Sequence, residues 1–151
     1  DHYLEVDYDL SNIMFVCTAN IHRSRFAEEV FNHLAKKTNS VHEAFSAGLR
    51  VGDYSFRTIY YPALDNLKKF NITPLRPNAD SIHIDDVELH EYSRIICMDE
   101  GEHKPMVLAN SKLQNDLFEY WDIIDEPKMK SEISLPKCFQ RVESLLRDLD
   151  S

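Results

Sequence analysis

Short apolar runs alternate along the chain with longer segments in which apolar residues recur at helical spacing. The runs predict β-strands, at residues 12–16, 41–45, 93–98 and 117–120. The periodic segments predict α-helices, at residues 24–37, 56–70, 101–110 and 133–149. A regular alternation of strand and helix predicts an α/β fold, in which a doubly wound, four-stranded parallel sheet is flanked by helices.

The sequence divides into an arm and one domain. Residues 1–11 are acidic and aromatic and precede the first predicted strand, so we expect an N-terminal arm there. Residues 12–151 contain no repeat and no Pro- or Gly-rich linker, and their length suits a single domain.

Charge and composition exclude several classes of partner. The chain has 17 Lys and Arg against 26 Asp and Glu, a net charge of −9, and it lacks a basic cluster. We therefore expect no nucleic-acid partner, and an anionic substrate would need a local positive site. No apolar run approaches the roughly 18 residues of a membrane span, so we expect no membrane partner either. The sequence carries no signal for an oligomeric state.

The cysteines indicate the compartment. There are three, Cys17, Cys97 and Cys138, and they are widely spaced. An odd, dispersed set does not suit a disulfide framework and favours a reducing compartment, so we expect a cytoplasmic protein. Cys97 and Cys138 are predicted to be buried packing residues.

The segment from Cys17 to Ser24 carries the candidate chemistry. It reads C-x5-R-S, between the first predicted strand and the first predicted helix. A tight loop that leads into a helix N-terminus binds phosphate through its backbone N–H groups, and the same field stabilises a thiolate. Arg23 offers a planar fork for two phosphate oxygens. The predicted phosphate-binding residues are Thr18, Ala19, Asn20, Ile21, His22, Arg23 and Ser24.

Two residues of this segment have more than one interpretation. Cys17 suits a nucleophile, although a cysteine at a strand end is often only a small buried hydrophobe; the flanking strand and helix favour the nucleophile. Ser24 can donate its hydroxyl to the Cys17 sulfur or cap the helix.

Four motifs together resemble the low-molecular-weight protein tyrosine phosphatase family. The first, V-C-x5-R-S-x-x-A-E, runs from Val16 to Glu28. S-A-G at residues 46–48 and M-D-E at residues 98–100 follow in the family's order. The last is a W-x-x-x-D-P loop at residues 121–127, with Glu126 inserted before the proline. The similarity extends over about residues 12–149.

The resemblance implies a function and a set of supporting residues. It implies a cysteine-dependent phosphatase that hydrolyses phosphotyrosine and small aryl phosphates through a phosphocysteine intermediate, without a metal or other cofactor. Asn20 and Ser46 match residues that hold the shape of the phosphate loop. Asp99 matches an aspartate that orders the phosphate-binding region, although a plain helix N-cap accounts for it equally well.

The general acid is expected on the late loop. The resemblance indicates Asp125, and the inserted Glu126 leaves Asp122 and Glu126 as rivals. Cys17, Asp99 and Asp125 all follow predicted strand ends, which meet at one rim of a parallel sheet.

The chain departs from the family at several positions. Ala19 stands in place of a common Gly, and His22 stands in place of a second Cys; we expect the His22 ring to face outward. Lys128 and Met129 stand where animal members have tyrosines that line the substrate cleft. Tyr54 is a weak candidate for one aromatic wall of that cleft.

Three other functions compete with this interpretation. Arsenate reduction needs a relay of three cysteines; Cys97 fits the second position, but Lys104 occupies the third. Phosphoarginine hydrolysis is associated with Thr after the loop Asn, and this chain has Ile21 instead. A non-catalytic phosphate-binding module is the third alternative.

Overall fold

The computed structural model describes residues 12–52 and 58–151. The predicted arm at residues 1–11 and the predicted aromatic wall at Tyr54 lie outside these ranges.

One sheet of four parallel strands forms the centre of the domain. The strands are β1 (Asn12–Cys17), β2 (Glu43–Gly48), β3 (Arg94–Cys97) and β4 (Phe118–Tyr120), in the order β2-β1-β3-β4. β1 pairs with β2 along one edge and with β3 along the other, so it is a central strand, and residues 13–17 are all buried. The predicted α/β fold with a four-stranded parallel sheet is confirmed.

Helices cover both faces of the sheet. They are α1 (Arg23–Lys37), α2 (Tyr61–Lys69), α3 (Glu100–Leu108) and α4 (Ser131–Asp150). Three short 3-10 turns lie between them, at Ile84–Asp86, Leu89–Glu91 and Ser111–Leu113. No helix within the described ranges is long and apolar enough to cross a membrane.

Alternate residues of β1 supply two separate cores. Phe15 packs with apolar residues of α1, α2 and α4 on one face of the sheet. Val16 packs with Val107 of α3 and with residues of the 3-10 turns on the other face. This alternation follows from the two-residue repeat of a strand and gives the doubly wound arrangement.

Two predicted elements are displaced. The second strand was expected at residues 41–45 and lies at Glu43–Gly48, because register with β1 pairs Cys17 with Gly48 and leaves Val41 78% exposed. The second helix was expected from residue 56 and begins at Tyr61, with Pro62 in its first turn. Proline favours that position because it lacks the N–H that a first turn leaves unpaired.

Candidate active site

The loop between β1 and α1 turns at an asparagine. Cys17 ends β1 and is 2% exposed, and Arg23 begins α1. Asn20 has φ 59°, a left-handed conformation that asparagine tolerates better than most residues. The strained position is therefore Asn20 and not Ala19, so the methyl group of Ala19 does not oppose the turn.

Buried hydrogen bonds fix this loop from inside. The Asn20 amide nitrogen donates to Ser24 Oγ (2.8 Å) and to Ser46 Oγ (2.9 Å). Its amide oxygen accepts from the backbone N–H of Ile82 at 3.0 Å. Ser46 in turn donates to Glu28 Oε1 at 2.5 Å. Asn20 and Ser46 thus lie where the sequence resemblance placed them, joined to each other and to the loop.

Ser24 faces the candidate nucleophile. Its Oγ lies 2.9 Å from Cys17 Sγ and accepts from Asn20, which leaves the hydroxyl hydrogen free to donate to the sulfur. The N-cap position of α1 belongs to His22, so Ser24 lies inside the helix and does not cap it. Of the two interpretations of Ser24, the geometry supports the contact with sulfur.

Gly48 allows the loop to approach β2. A Cβ at Gly48 would lie 2.7 Å from the carbonyl oxygen of Thr18 and 3.0 Å from the backbone nitrogen of Asn20. The first distance is shorter than Cβ contacts in proteins, the second is at the tight end of their range, and both neighbours are backbone atoms with little room to shift. The S-A-G motif marks this residue in the sequence, but only the structure shows that the phosphate loop needs it.

Arg23 is buried in a ring of acceptors. The residue is 1% exposed. Nη1 donates to the carbonyl oxygen of Ile123 at 3.0 Å, and Nη2 lies 3.0 Å from Glu102 Oε2 and 3.3 Å from Asp125 Oδ2. Burial lowers the pKa of Arg23, but the negative groups around it, Cys17 first, outweigh burial and keep the pKa above its ordinary value.

Glu102 is a site residue that the sequence analysis missed. It lies in the first turn of α3, accepts from the Thr18 hydroxyl and pairs with Arg23. Burial raises the pKa of its carboxyl, but hydrogen bonds with His103, Arg23 and Thr18 outweigh burial and hold the pKa well below its ordinary value. Its position two residues beyond the M-D-E motif, at the same rim of the sheet, was the available signal.

His103 fixes the start of α3 against the loop. Its ring is fully buried; Nδ1 accepts from the backbone N–H of Asp99 at 3.1 Å, and Nε2 lies 3.1 Å from Thr18 Oγ1. Asp99 occupies the N-cap position of α3, but its side chain makes no capping hydrogen bond. Asp99 thus holds the N-cap position that one interpretation gave it, without a side-chain capping bond, and in the described structure it is Glu102 that contacts the phosphate loop.

The three candidate acids lie in different surroundings. Asp125 approaches Arg23, as given above. Asp122 is 63% exposed and pairs with Lys137 Nζ at 3.1 Å, away from the loop. Glu126 Oε2 accepts from Ser131 Oγ at 2.5 Å. Asp125 is thus the candidate with a direct contact to the phosphate-loop arginine.

The surroundings of Asp125 lower the pKa of its carboxyl. Burial raises its pKa, but contact with His22 and the positive charge of Arg23 outweigh burial, so that the pKa lies below its ordinary value. The side chain remains 42% exposed. It can therefore exchange protons with solvent and with a bound molecule.

The ring of His22 faces inward, contrary to the prediction. His22 is 7% exposed. Nε2 lies 3.0 Å from Ser131 Oγ and Nδ1 lies 3.5 Å from Asp125 Oδ1, while the ring of Tyr60 packs edge-on at 5.8 Å. The first residue of α4 and the chain before α2 therefore enclose the imidazole, and no pattern in the sequence signalled this long-range contact.

These residues surround a cavity of about 370 Å³. Its described walls are Cys17, Thr18, Ala19, Ile21, His22, Arg23, Tyr60, Asp125 and Glu126. Tyr60 is an aromatic wall that the sequence analysis missed. Lys128 and Met129, predicted for the cleft, are not among these walls; Lys128 lines a neighbouring hollow beside Asp99 and Glu102, because the loop turns away after Glu126.

The other cysteines are packing residues, as predicted. Cys97 and Cys138 are both fully buried. Burial raises the pKa of both thiols, that of Cys138 to about 12. Across the described ranges no group of three or more His, Cys, Asp or Glu side chains could hold a metal ion.

The fold and this cavity define a class of phosphate-binding α/β domain with a cysteine at the base of its loop. The profile of the low molecular weight phosphotyrosine protein phosphatase family matches residues 12–150. The chain therefore belongs to that family, whose members are hydrolases.

Solved structures share the fold. A low molecular weight protein tyrosine phosphatase from Streptococcus pyogenes is 22% identical, with a TM-score of 0.78, over 94% of this chain and 95% of that one. Vibrio vulnificus Wzb in complex with benzylphosphonate is 17% identical (TM-score 0.68, 93% and 97% covered). Arsenate reductase from Archaeoglobus fulgidus is 21% identical (TM-score 0.64, 89% and 98% covered). The fold thus occurs with more than one chemistry.

Two curated proteins match only short stretches. Lon protease from Azospirillum brasilense is 83% identical over 23 residues, which is 15% of this chain and 3% of that protein. Lon protease from Azorhizobium caulinodans is 90% identical over 20 residues, which is 13% of this chain and 2% of that protein. The chain spans only these small fractions of the curated relatives.

Proposed function

We propose that this protein is a cysteine-dependent phosphatase that hydrolyses phosphotyrosine and small aryl phosphates through a phosphocysteine intermediate. The observation that carries the proposal is one cavity lined by Cys17, Arg23 and Asp125. These side chains supply the nucleophile, the positive fork and the proton donor that phosphoryl transfer to sulfur requires. Residues 12–151 form the catalytic domain in this proposal.

The first step is attack by the Cys17 thiolate on phosphorus. The hydroxyl of Ser24, 2.9 Å from the sulfur, stabilises the thiolate before the attack. Arg23 and the backbone amides of residues 18–23 hold the phosphate oxygens and match the charge of the transition state. As the bond between phosphorus and the leaving oxygen breaks, protonated Asp125 gives its proton to that oxygen.

The second step releases phosphate. A water molecule attacks phosphorus, the P–S bond breaks with its electrons returning to Cys17, and the Asp125 carboxylate takes the proton of the water. A phosphate dianion beside Asp125 opposes the effect of Arg23 and raises the pKa of the carboxyl. Asp125 can thus act as an acid once substrate is bound, although its pKa is low in the protein alone.

The cavity walls favour an aryl substrate. Ala19 and Ile21 are apolar, and Tyr60 adds an aromatic ring at the mouth. A flat ring of the substrate can pack against these groups while its phosphate lies in the loop. The aliphatic side chain of Ile21, in place of a threonine, favours phosphotyrosine over the more polar phosphoarginine. The ligand named in the Wzb complex, benzylphosphonate, combines the same two chemical parts.

Arsenate reduction is disfavoured by the thiol positions. A relay needs a second and a third sulfur that can reach Cys17 in turn. Cys97 is fully buried and its thiol pKa is raised, and the residue at the third position is Lys104, which pairs with Glu100 at 3.7 Å. The three cysteines are all free, which suits the reducing cytoplasm where we propose that the enzyme acts.

The decisive experiment compares wild-type protein with Cys17→Ser in hydrolysis of p-nitrophenyl phosphate at mildly acidic pH with EDTA. We expect activity that survives the chelator and is lost in the variant, together with trapping of a phosphoenzyme in rapidly quenched wild type. Hydrolysis by Cys17→Ser at the wild-type rate would refute the proposal. Binding of vanadate without turnover in either protein would favour a phosphate-binding module.

A parallel assay settles the substrate class. Turnover of a phosphotyrosine peptide is compared with turnover of phosphoarginine under the same conditions. We expect a preference for phosphotyrosine, and a clear preference for phosphoarginine would contradict the assignment.

A further inference from the structure

We propose that His22 is the positioning residue for Asp125, tying the carboxylate to the phosphate loop while substrate is bound. The inference rests on the proposed function, in which Asp125 is the general acid. It concerns a residue that contacts neither the transferred phosphorus nor the sulfur, and that acts through its neighbour.

The ring of His22 is oriented from one side by a hydrogen-bonded pair. The Ser131 hydroxyl donates to Glu126 Oε2 at 2.5 Å, so its only hydrogen is already committed. Ser131 Oγ must then accept from His22 Nε2–H, at 3.0 Å. Nδ1 then faces Asp125 Oδ1 at 3.5 Å, and it donates to that oxygen when the ring carries a hydrogen on both nitrogens, the form that this proposal requires. The inserted residue Glu126 therefore decides which edge of the imidazole meets the carboxyl.

Asp125 has two anchors, and substrate weakens one of them. Its Oδ2 lies 3.3 Å from Arg23 Nη2, but a bound phosphate dianion needs the same guanidinium. The contact of Oδ1 with His22 is not in competition with phosphate. Because the Asp125 side chain is 42% exposed, an acid held by Arg23 alone would lose its place when substrate enters.

The charged and titratable groups around this pair come from several elements. The phosphate loop supplies Arg23 and Cys17, and α3 supplies Glu102. The acid loop, which is the W-x-x-x-D-P segment at residues 121–127, supplies Glu126, and the segment before α2 supplies Tyr60. Tyr60 contacts the His22 ring by its edge. His22 contacts Asp125 through one ring nitrogen and Ser131 through the other, and Ser131 is itself bonded to Glu126.

The test separates a positioning role from a structural one by the leaving group. Phenyl phosphate releases phenolate, a poor leaving group that needs a proton from the acid, whereas 2,4-dinitrophenyl phosphate releases 2,4-dinitrophenolate, which leaves readily without one. His22→Gln places its amide near the position of Nε2, so it keeps the contact with Ser131 and loses the contact with Asp125. His22→Asn places its amide near the position of Nδ1, so it keeps the contact with Asp125. We expect His22→Gln to lose about tenfold more kcat/KM on phenyl phosphate than on the dinitrophenyl ester, and His22→Asn to lose less.

Controls fix the interpretation. His90→Gln changes an exposed histidine that pairs only with Glu88 in the described structure, and it should leave both substrates unchanged. Equal losses on both substrates in His22→Gln, while Asp125→Asn shows the unequal loss, would overturn this inference and leave the proposed function intact. Wild-type protein without Cys17-dependent activity would overturn both.

A second variant covers the case in which His22→Gln no longer binds vanadate and has therefore lost its fold. Ser131→Ala leaves the imidazole in place and removes its orienting partner. A loss that is about threefold greater on phenyl phosphate than on the dinitrophenyl ester supports the positioning role. An equal loss on the two esters, or none, contradicts it.

Discussion

The phosphate loop and the acid loop face each other across one cavity but differ in burial and in how they are held. Asn20, Arg23 and Ser24 are each at most 2% exposed, and buried hydrogen bonds tie them to β2, α1 and α3. The side chains of Asp125 and Asp122 are 42% and 63% exposed, on a segment between β4 and α4 that forms neither helix nor strand. The site thus joins a rigid phosphate loop, the cradle formed by residues 17–24, to an acid that is held mainly by the side chains of Arg23 and His22.

This contrast predicts where a substitution should disturb the site most. The cradle must match the fixed geometry of a phosphate, and most of its polar atoms already have partners, so a substitution there disturbs several contacts at once. In the proposed reaction, the acid loop needs only to present one carboxyl to the leaving oxygen. It accepts an inserted glutamate because Ser131 and His22 give the new side chain and its neighbour a place.

Arg23→Lys should produce the largest effect and test the rigid side of the contrast. A lysine cannot replace the bidentate fork, and it leaves Glu102 and the carbonyl of Ile123 without their partners. We expect kcat/KM for p-nitrophenyl phosphate to fall roughly 10³-fold. The exposed Arg50→Lys is the control. A loss below tenfold would mean that the backbone amides alone hold the phosphate.

Asp125→Asn tests the opposite loop. We expect kcat/KM for phenyl phosphate to fall about 10²-fold or more, since the amide cannot give up a proton. Asp122→Asn removes a solvent-exposed ion pair with Lys137, and turnover should change by no more than about twofold. Comparable losses in the two variants would show that the acid has been wrongly assigned.

Gly48→Ala should loosen the cradle without changing any side chain that takes part in the proposed reaction. Its Cβ would lie 2.6–3.0 Å from Val51, Thr18 and Asn20, so the free energy of unfolding in urea should fall by about 1–3 kcal/mol and vanadate should bind less tightly. Gly101→Ala is the matched control, because its nearest neighbour is 4.0 Å away and α3 accommodates alanine. Unchanged stability in Gly48→Ala would contradict the close approach of the loop.

Glu102→Gln should have the smallest effect and depend on pH. The lowered pKa of Glu102 contributes stability above the ordinary value of 4.5, and this contribution is lost as the pH falls through the lowered pKa. We expect the variant to be about 1 kcal/mol less stable at pH 7, a figure limited by partial exposure, and the difference to shrink below pH 4.5. Glu100→Gln should show no such trend, and a difference independent of pH would argue against the ion pair.

Periodicity and short motifs predicted the parts of this molecule that depend on neighbours in sequence. β1, α1 and the phosphate loop follow directly from residues 12–37, and the family's motifs led to Asn20 and Ser46. The contacts that were missed join distant segments. Glu102 meets Thr18 only because α3 starts at the same rim as the loop, and His22 faces inward because α4 begins beside it.

The misplaced boundaries have the same cause. Nothing between residues 41 and 48 distinguishes the strand from its approach until the register with β1 is known. The displaced start of α2 was readable from Pro62, whose preference for a first turn competes with the helical periodicity that begins earlier.

The pairing of β1 with β3 has a consequence for how the chain is made. Ile13 pairs with Arg94, and the carboxylate that holds Arg23 comes later still, at residue 102. At about 5–20 residues per second, a ribosome therefore exposes Cys17 several seconds before the partners of the loop exist. During each round of translation Cys17 therefore lies on an unfinished chain, and the cavity around it forms only when the later strands and helices have emerged.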